Sequence, residues 1–112
     1  MGEYQYYYDR SGKPISPERF AVLYKSNYFR VAEDTIGNLW ISTVWLGINH
    51  EFRENLPPII FETMIFKAEG KDRTKTEVYQ MRYSDEQEAF AGHLIAVQYA
   101  KELLKRDDEK LE

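Results

Sequence analysis

The segment LWISTVWLGINHEFRENLPPIIFETMIF, residues 39–66, decides the fold that this sequence predicts. It contains both tryptophans, and the Pro57-Pro58 pair divides it into two runs rich in Ile, Val, Thr, Phe and Trp. Residues of these types are enriched in strands, so the two runs predict neighbouring strands of a sheet. Because two strands cannot bury so much apolar surface alone, we expect helices to cover the sheet.

Turn and capping residues divide the chain that precedes and follows this segment. Gly37-Asn38 is a two-residue turn between apolar runs, which is typical of a hairpin. Ser16-Pro17-Glu18 predicts the start of a short helix ending near Asn27, because the hydroxyl caps free amides and proline suits the first turn. The predicted strands cover residues 3–8, 28–36, 39–48, 59–67 and 76–83.

A second, longer helix is predicted near the C-terminal end. Ser84 and Gln87 have the spacing of a capping box, and the helix that they open should run to about Lys105, with residues 106–112 frayed. At 3.6 residues per turn its apolar positions form one arc, which we expect to dock on the sheet. The arc contains Phe90, His93, Leu94, Val97, Ala100 and Leu104, with Ala89, Ala96 and Leu103 at its margin.

These elements predict one α+β domain over residues 1–112. Its antiparallel sheet has four to five strands, with the short N-terminal helix and the long C-terminal helix packed on one face. The absence of cysteine excludes disulfides, zinc-thiolate sites and thiol catalysis. Because no apolar run approaches the length of a bilayer span, we expect a cytoplasmic protein with no membrane partner.

The charges disfavour a nucleic-acid partner. The net charge is −4, whereas binding to a duplex needs a concentrated basic surface. Acidic residues interrupt the basic loop between the last two predicted strands. The loop is therefore predicted to be a solvated hairpin rather than a site for single-stranded nucleic acid. The basic residues of that region are Lys67, Lys71, Arg73 and Lys75.

Strand parity separates two faces of the predicted sheet. The odd-numbered positions are almost wholly apolar, so we expect the helices to cover them. The even-numbered face carries a large apolar set, which predicts a homodimer interface: Trp40, Val44, Leu46, Met64 and Phe66. It also carries a polar set, which with two loop residues gives the candidate ligand-binding residues: Ser42, Glu62, Gln80, Arg82, Asn49 and His50. A buried ion pair in an ordinary core and coverage of this face by the tyrosine-rich N-terminal strand are the competing interpretations.

The two histidines raise the question of catalysis or metal binding. His50, His93 and Glu62 could together bind a divalent metal or transfer protons, but their spacing matches no known ligand pattern. We therefore predict no catalytic residues, no metal and no cofactor. His93 is expected to be a core residue hydrogen-bonded to a strand carbonyl, and His50 is expected to fix its loop.

Three segments resemble a group of short, functionally uncharacterised bacteriophage and prophage proteins. They are STVWLGINH at 42–50, PPIIFETMIF at 57–66, and the region 83–93, which begins Tyr-Ser and ends Ala-Gly-His. The likeness spans about the last two-thirds of the chain. It implies a phage context inside a bacterial host and no mechanism.

The favoured hypothesis is a non-enzymatic phage or prophage accessory protein that works by self-association or by binding a protein, such as one of the host. The second hypothesis is a protein that binds or sequesters a small molecule such as a nucleotide. The third is a metal-assisted hydrolase.

Overall fold

The computed structural model describes residues 5–51, 53, 55–69 and 74–111. The chain folds as α1 (Pro17–Tyr24), a 3₁₀ turn (Asn27–Phe29), β1 (Arg30–Ile36), β2 (Leu39–Trp45), β3 (Phe61–Glu69), β4 (Thr74–Tyr83) and α2 (Glu86–Leu111). The four strands form one antiparallel sheet in the order β1-β2-β3-β4. The predicted α+β class is confirmed.

The strand predicted over residues 3–8 is not part of this sheet. Residues 1–4 lie outside the described chain, and residues 7 and 8 form only isolated bridges, with Ile48 and Pro14. These N-terminal residues pair beyond the end of β2, where the chain has already left the sheet. The sheet therefore has the lower of the two predicted strand numbers.

Local signals set the hairpin turn and the start of the first helix as predicted. The helix ends at Tyr24 rather than near Asn27, and the 3₁₀ turn replaces the first residues of the strand predicted from residue 28. Ile36 pairs with Leu39 across the two-residue turn, and Gly37 has a φ of +58°, which glycine adopts without a steric cost. The hydroxyl of Ser16 accepts a hydrogen bond from the amide of Arg19 at 3.1 Å, which caps α1.

The cap of α2 is one residue later than the predicted Ser84–Gln87 box. The Asp85 carboxylate accepts a hydrogen bond from the amide of Glu88 at 2.8 Å, and the Glu88 carboxylate accepts one from the amide of Ser84 at 3.4 Å. The helix also continues to Leu111 instead of fraying at residue 106. An ion pair between Lys67 of β3 and Asp107, at 3.5 Å, holds this last part near the sheet.

The arc of α2 that packs on the sheet differs from the predicted one. Phe90 and Leu94, assigned to it by the wheel, are 46% and 67% exposed. Small residues let the helix backbone approach the strands, so the buried arc is centred on them rather than on the largest side chains. Up to residue 108, where the side chains of α2 are described, its buried residues are Ala89, Gly92, His93, Ala96 and Ala100.

Two clusters form the core between α2 and the odd-numbered face of the sheet. Ala96 and Ala100 pack with buried aliphatic residues of β2 and β3, and Ala89 packs near Trp45 and Phe61. Phe20 of α1 lies with its ring centroid 5.5 Å from that of Trp45. The short helix therefore closes the end of the sheet that the long helix leaves uncovered.

A bulge in β4 changes which residues face each side. Ile65 pairs with Tyr79 but Phe66 pairs with Glu77, so Val78 is an extra residue. Val78, predicted on the even-numbered face, instead packs against the core beside Leu39. Before the bulge the odd-numbered residues of β4 lie on the face away from α2.

No helix in the described part of the chain combines the length and the apolarity needed to cross a membrane.

Candidate functional site

The face of the sheet opposite α2, called here the open face, has no helix packed on it among the described residues. All five predicted interface residues lie on it or at its end, and each is half-buried. Trp40 stacks on Phe66 with ring centroids 5.3 Å apart, and its indole N–H donates to the Glu33 carboxylate at 2.7 Å. The Lys75 ammonium lies 4.3 Å from the Trp40 ring centroid. The apolar residues here are thus partly covered by charged side chains of the same chain.

The predicted polar group on the open face is present. The Glu62 carboxylate is buried and accepts hydrogen bonds from Nε2 of Gln80 at 2.7 Å and from Nε of Arg82 at 2.9 Å. Ser42 is not part of this cluster, because its hydroxyl accepts a hydrogen bond from Nη1 of Arg30 at 2.6 Å. The sequence did not single out Arg30, which comes from β1 across the sheet.

The two predicted loop residues, Asn49 and His50, make different contacts. The side-chain oxygen of Asn49 accepts hydrogen bonds from the amides of Glu51 and Ile59, at 2.8 and 3.0 Å. Asn49 therefore fixes the loop, a role that the sequence assigned to His50. The imidazole of His50 faces a groove beside the open face.

This groove has a volume of about 440 Å³. Its apolar and aromatic walls come from α1, the 3₁₀ turn, β2 and the loop that follows β2. The lining residues are Phe20, Tyr24, Phe29, Val44, Trp45, Leu46, Ile48 and His50. Sequence reasoning missed the three aromatic residues before β1, because only the tertiary structure brings them to the end of β2.

Cationic groups border the groove. Burial lowers the pKa of His50, the positive charge of Arg82 lowers it further, and Glu62 partly opposes the shift. On the other side, the Arg30 guanidinium lies over the Phe29 ring, 5.5 Å from its centroid. Apolar walls with a few converging polar groups and a perturbed histidine are the usual features of a small-molecule site.

His93 belongs to a separate, buried network. Its Nδ1 lies 2.7 Å from the Thr43 hydroxyl, and that oxygen lies 2.5 Å from the hydroxyl of Thr63. Its Nε2 lies 2.7 Å from the Asp34 carboxylate, so its partners are side chains and not the predicted strand carbonyl. The order of acid, imidazole and hydroxyl is that of a catalytic triad, but Thr43 is wholly buried between sheet and helix, where no substrate reaches it.

His50, His93 and Glu62 do not converge. His50 lies beside the open face, whereas His93 lies under α2 on the other side of the sheet. In the described parts of the chain, no three His, Asp or Glu side chains are grouped as metal ligands.

Comparisons with protein families, curated proteins and solved structures give no match to this chain.

Proposed function

We propose that the chain is a non-enzymatic binding protein that holds a small anionic ligand with a planar ring, such as a nucleotide. The observation that carries this proposal is the apolar groove of about 440 Å³, two of whose lining residues have a guanidinium group nearby. Arg82 acts on His50, and Arg30 lies over Phe29. Aromatic walls take up a planar ring by stacking and by excluding water. The border then supplies positive charge where the phosphates of such a ligand would lie.

Arg82 is the best placed of the border cations. Its Nε donates to Glu62, which orients the guanidinium, and its side chain remains 43% exposed. Among the described residues, nothing accepts a hydrogen bond from its two terminal amino groups. A guanidinium held in this way is suited to a bidentate contact with a phosphate.

Binding alone is sufficient for such a role. A phage or prophage protein that retains a host signalling nucleotide would lower its free concentration without chemical change. The resemblance of the three segments to phage proteins supports this context and says nothing about the ligand.

Titration with nucleotides tests the proposal directly. Trp45 lines the groove, so its fluorescence should change when adenosine or guanosine nucleotides, linear or cyclic, are added. Because a charge-assisted hydrogen bond contributes about 1.5–3 kcal/mol, Arg82→Gln should weaken binding about tenfold or more. Lys101→Gln is the control. It removes the same positive charge as Arg82→Gln, but at an exposed position of α2. A set of nucleotides that neither changes the fluorescence nor raises the melting temperature would overturn the proposal.

The second candidate is self-association, or binding of a host protein, through the open face. It is favoured by the half-buried apolar set around Trp40 and Phe66, on which no helix packs in the described chain. Apolar patches of this kind are common at protein interfaces. Trp40→Glu should then abolish the complex, as judged by sedimentation equilibrium for a dimer and by affinity capture from host lysate for another protein. A complex that tolerates this substitution would have to use another surface.

A further inference from the structure

The outer edge of β4 is the longest unpaired backbone edge of the sheet. β4 has ten residues and lies at the end of the strand order, and in the described chain no other strand pairs with its outer side. The opposite edge, β1, is shorter, with seven residues. Short edges resist pairing with other chains, whereas long ones favour it. The two edges of this sheet therefore differ in their capacity to bind a strand.

Apolar side chains lie beside the β4 edge on the α2 side. Met81 is 48% exposed, Ile95 is 63% exposed and Tyr99 is 38% exposed. The Tyr99 ring lies 5.2 Å from that of Tyr79 of β4, measured between centroids. Ile95 precedes Tyr99 by four residues, so it lies on the same flank of the helix. We call these three exposed residues the β4 flank.

We propose that a second copy of this chain pairs antiparallel with β4, about a two-fold axis at Gln80. In this register Gln80 lies opposite Gln80 of the second copy, and Tyr79 lies opposite Met81 of the second copy. Both copies then bury their β4 flanks against each other on the α2 side. On the open face, Glu77 lies opposite Arg82 of the second copy, and the symmetry repeats this pair of opposite charges.

The bulge at Val78 sets which side chains meet in this pairing. Side chains of β4 change sides at Val78, since Glu77 and Gln80 both lie on the open face. β3 pairs with β4 on both sides of the bulge, so an antiparallel partner can pair along the outer edge in the same way. A second copy fits this edge because the two-fold axis places Tyr79 opposite Met81, and Glu77 opposite Arg82, twice.

This pairing goes beyond the proposed function, and the two share only Arg82, so the substitutions that test the pairing are made at Met81 and Glu77. It joins two sheets into one of eight strands, with both open faces on the same side. Both grooves remain accessible, because each lies at the C-terminal end of β2 and not along the outer edge of β4.

Sedimentation equilibrium at about tens of micromolar tests the pairing. The wild-type chain should have twice its 13.3 kDa mass. Met81→Glu puts charge into the β4 flank, and Glu77→Lys sets two positive charges opposite each other, so each should raise the dissociation constant about tenfold or more. Glu102→Lys is the matched control, since it makes the same charge change at an exposed position of α2 and should leave the dimer intact.

Circular dichroism establishes that each variant is folded, and hydrogen exchange gives a second measurement. Amides of β4 should be protected more strongly at high than at low protein concentration, whereas amides of β1 should not change. A wild-type monomer at these concentrations would overturn the inference. A dimer that tolerates both Met81→Glu and Glu77→Lys would overturn it as well. A dimer that dissociates only with Trp40→Glu would also overturn it and would support self-association through the open face.

Discussion

Nε2 of His93 lies 2.7 Å from the Asp34 carboxylate, a contact that joins the middle of α2 to the edge strand β1. The imidazole is buried, whereas the Asp34 side chain is half exposed. The other ring nitrogen reaches Thr43, so one side chain links α2 to both β1 and β2.

His93→Leu should keep the fold and lower the free energy of unfolding by about 1–3 kcal/mol. Two hydrogen bonds of the imidazole are lost, but the groups that it contacted can form hydrogen bonds elsewhere. Asp34 can be solvated, and Thr43 retains Thr63. His93→Asp should unfold the protein, because it buries a carboxylate next to Asp34. Urea denaturation measures both. A leucine variant that folds normally but loses nucleotide binding would show that His93 has more than a structural role.

Gly92→Ala should destabilise the protein, although alanine normally stabilises a helix. A Cβ at residue 92 would run into the ring and hydroxyl of Tyr83 from β4. Overpacking of this kind costs about 1–3 kcal/mol. Thermal denaturation should show a lower melting temperature, and Tyr83→Leu in the same chain should restore part of it. Ala91→Ser, at the exposed neighbouring position, is the control and should have little effect.

The position of the α2 cap can be tested by comparing neighbouring substitutions. Asp85→Ala removes the acceptor for the Glu88 amide and should cost about 1 kcal/mol. Ser84→Ala and Gln87→Ala should change stability much less, because neither side chain caps the helix in the structure. Equal losses for Ser84→Ala and Asp85→Ala, measured by urea denaturation, would contradict this assignment.

The lowered pKa of His50 predicts a pH dependence of stability. Above the unfolded pKa of about 6.5 both states are neutral at this residue, so it has no effect. As the pH falls below that value, the unfolded state takes up the proton first, and the free energy of unfolding decreases until the folded pKa is passed. His50→Gln should therefore lose less stability than the wild type between pH 7.5 and pH 5, as measured by denaturant unfolding at each pH. If the two proteins lose stability equally, His50 is not the titrating group.

A bound anion should change this titration. Negative charge near the imidazole raises the pKa of His50, so ligand binding should take up a proton and become tighter as the pH falls. Calorimetry in two buffers of different ionisation enthalpy measures the proton uptake, which should disappear in His50→Gln.

The sequence by itself determined the parts of this protein that depend on neighbours in the chain or on simple hairpins. The Ser16 cap and the Gly37-Asn38 turn are local, because each satisfies backbone groups within a few residues. The grouping of Glu62, Gln80 and Arg82 followed from the alternation of side chains along two antiparallel strands joined in sequence.

Tertiary structure alone decided which side of α2 is buried, where β4 bulges and what forms the groove. A helical wheel ranks side chains by apolarity, but the closeness of helix to sheet selected the small residues around Ala96 and left Leu94 in solvent. The partnership of His93 with Asp34 spans 59 residues, and the groove joins Phe29 to His50 across separate elements. No local pattern encodes such contacts, because they depend on the distances and angles at which whole elements pack.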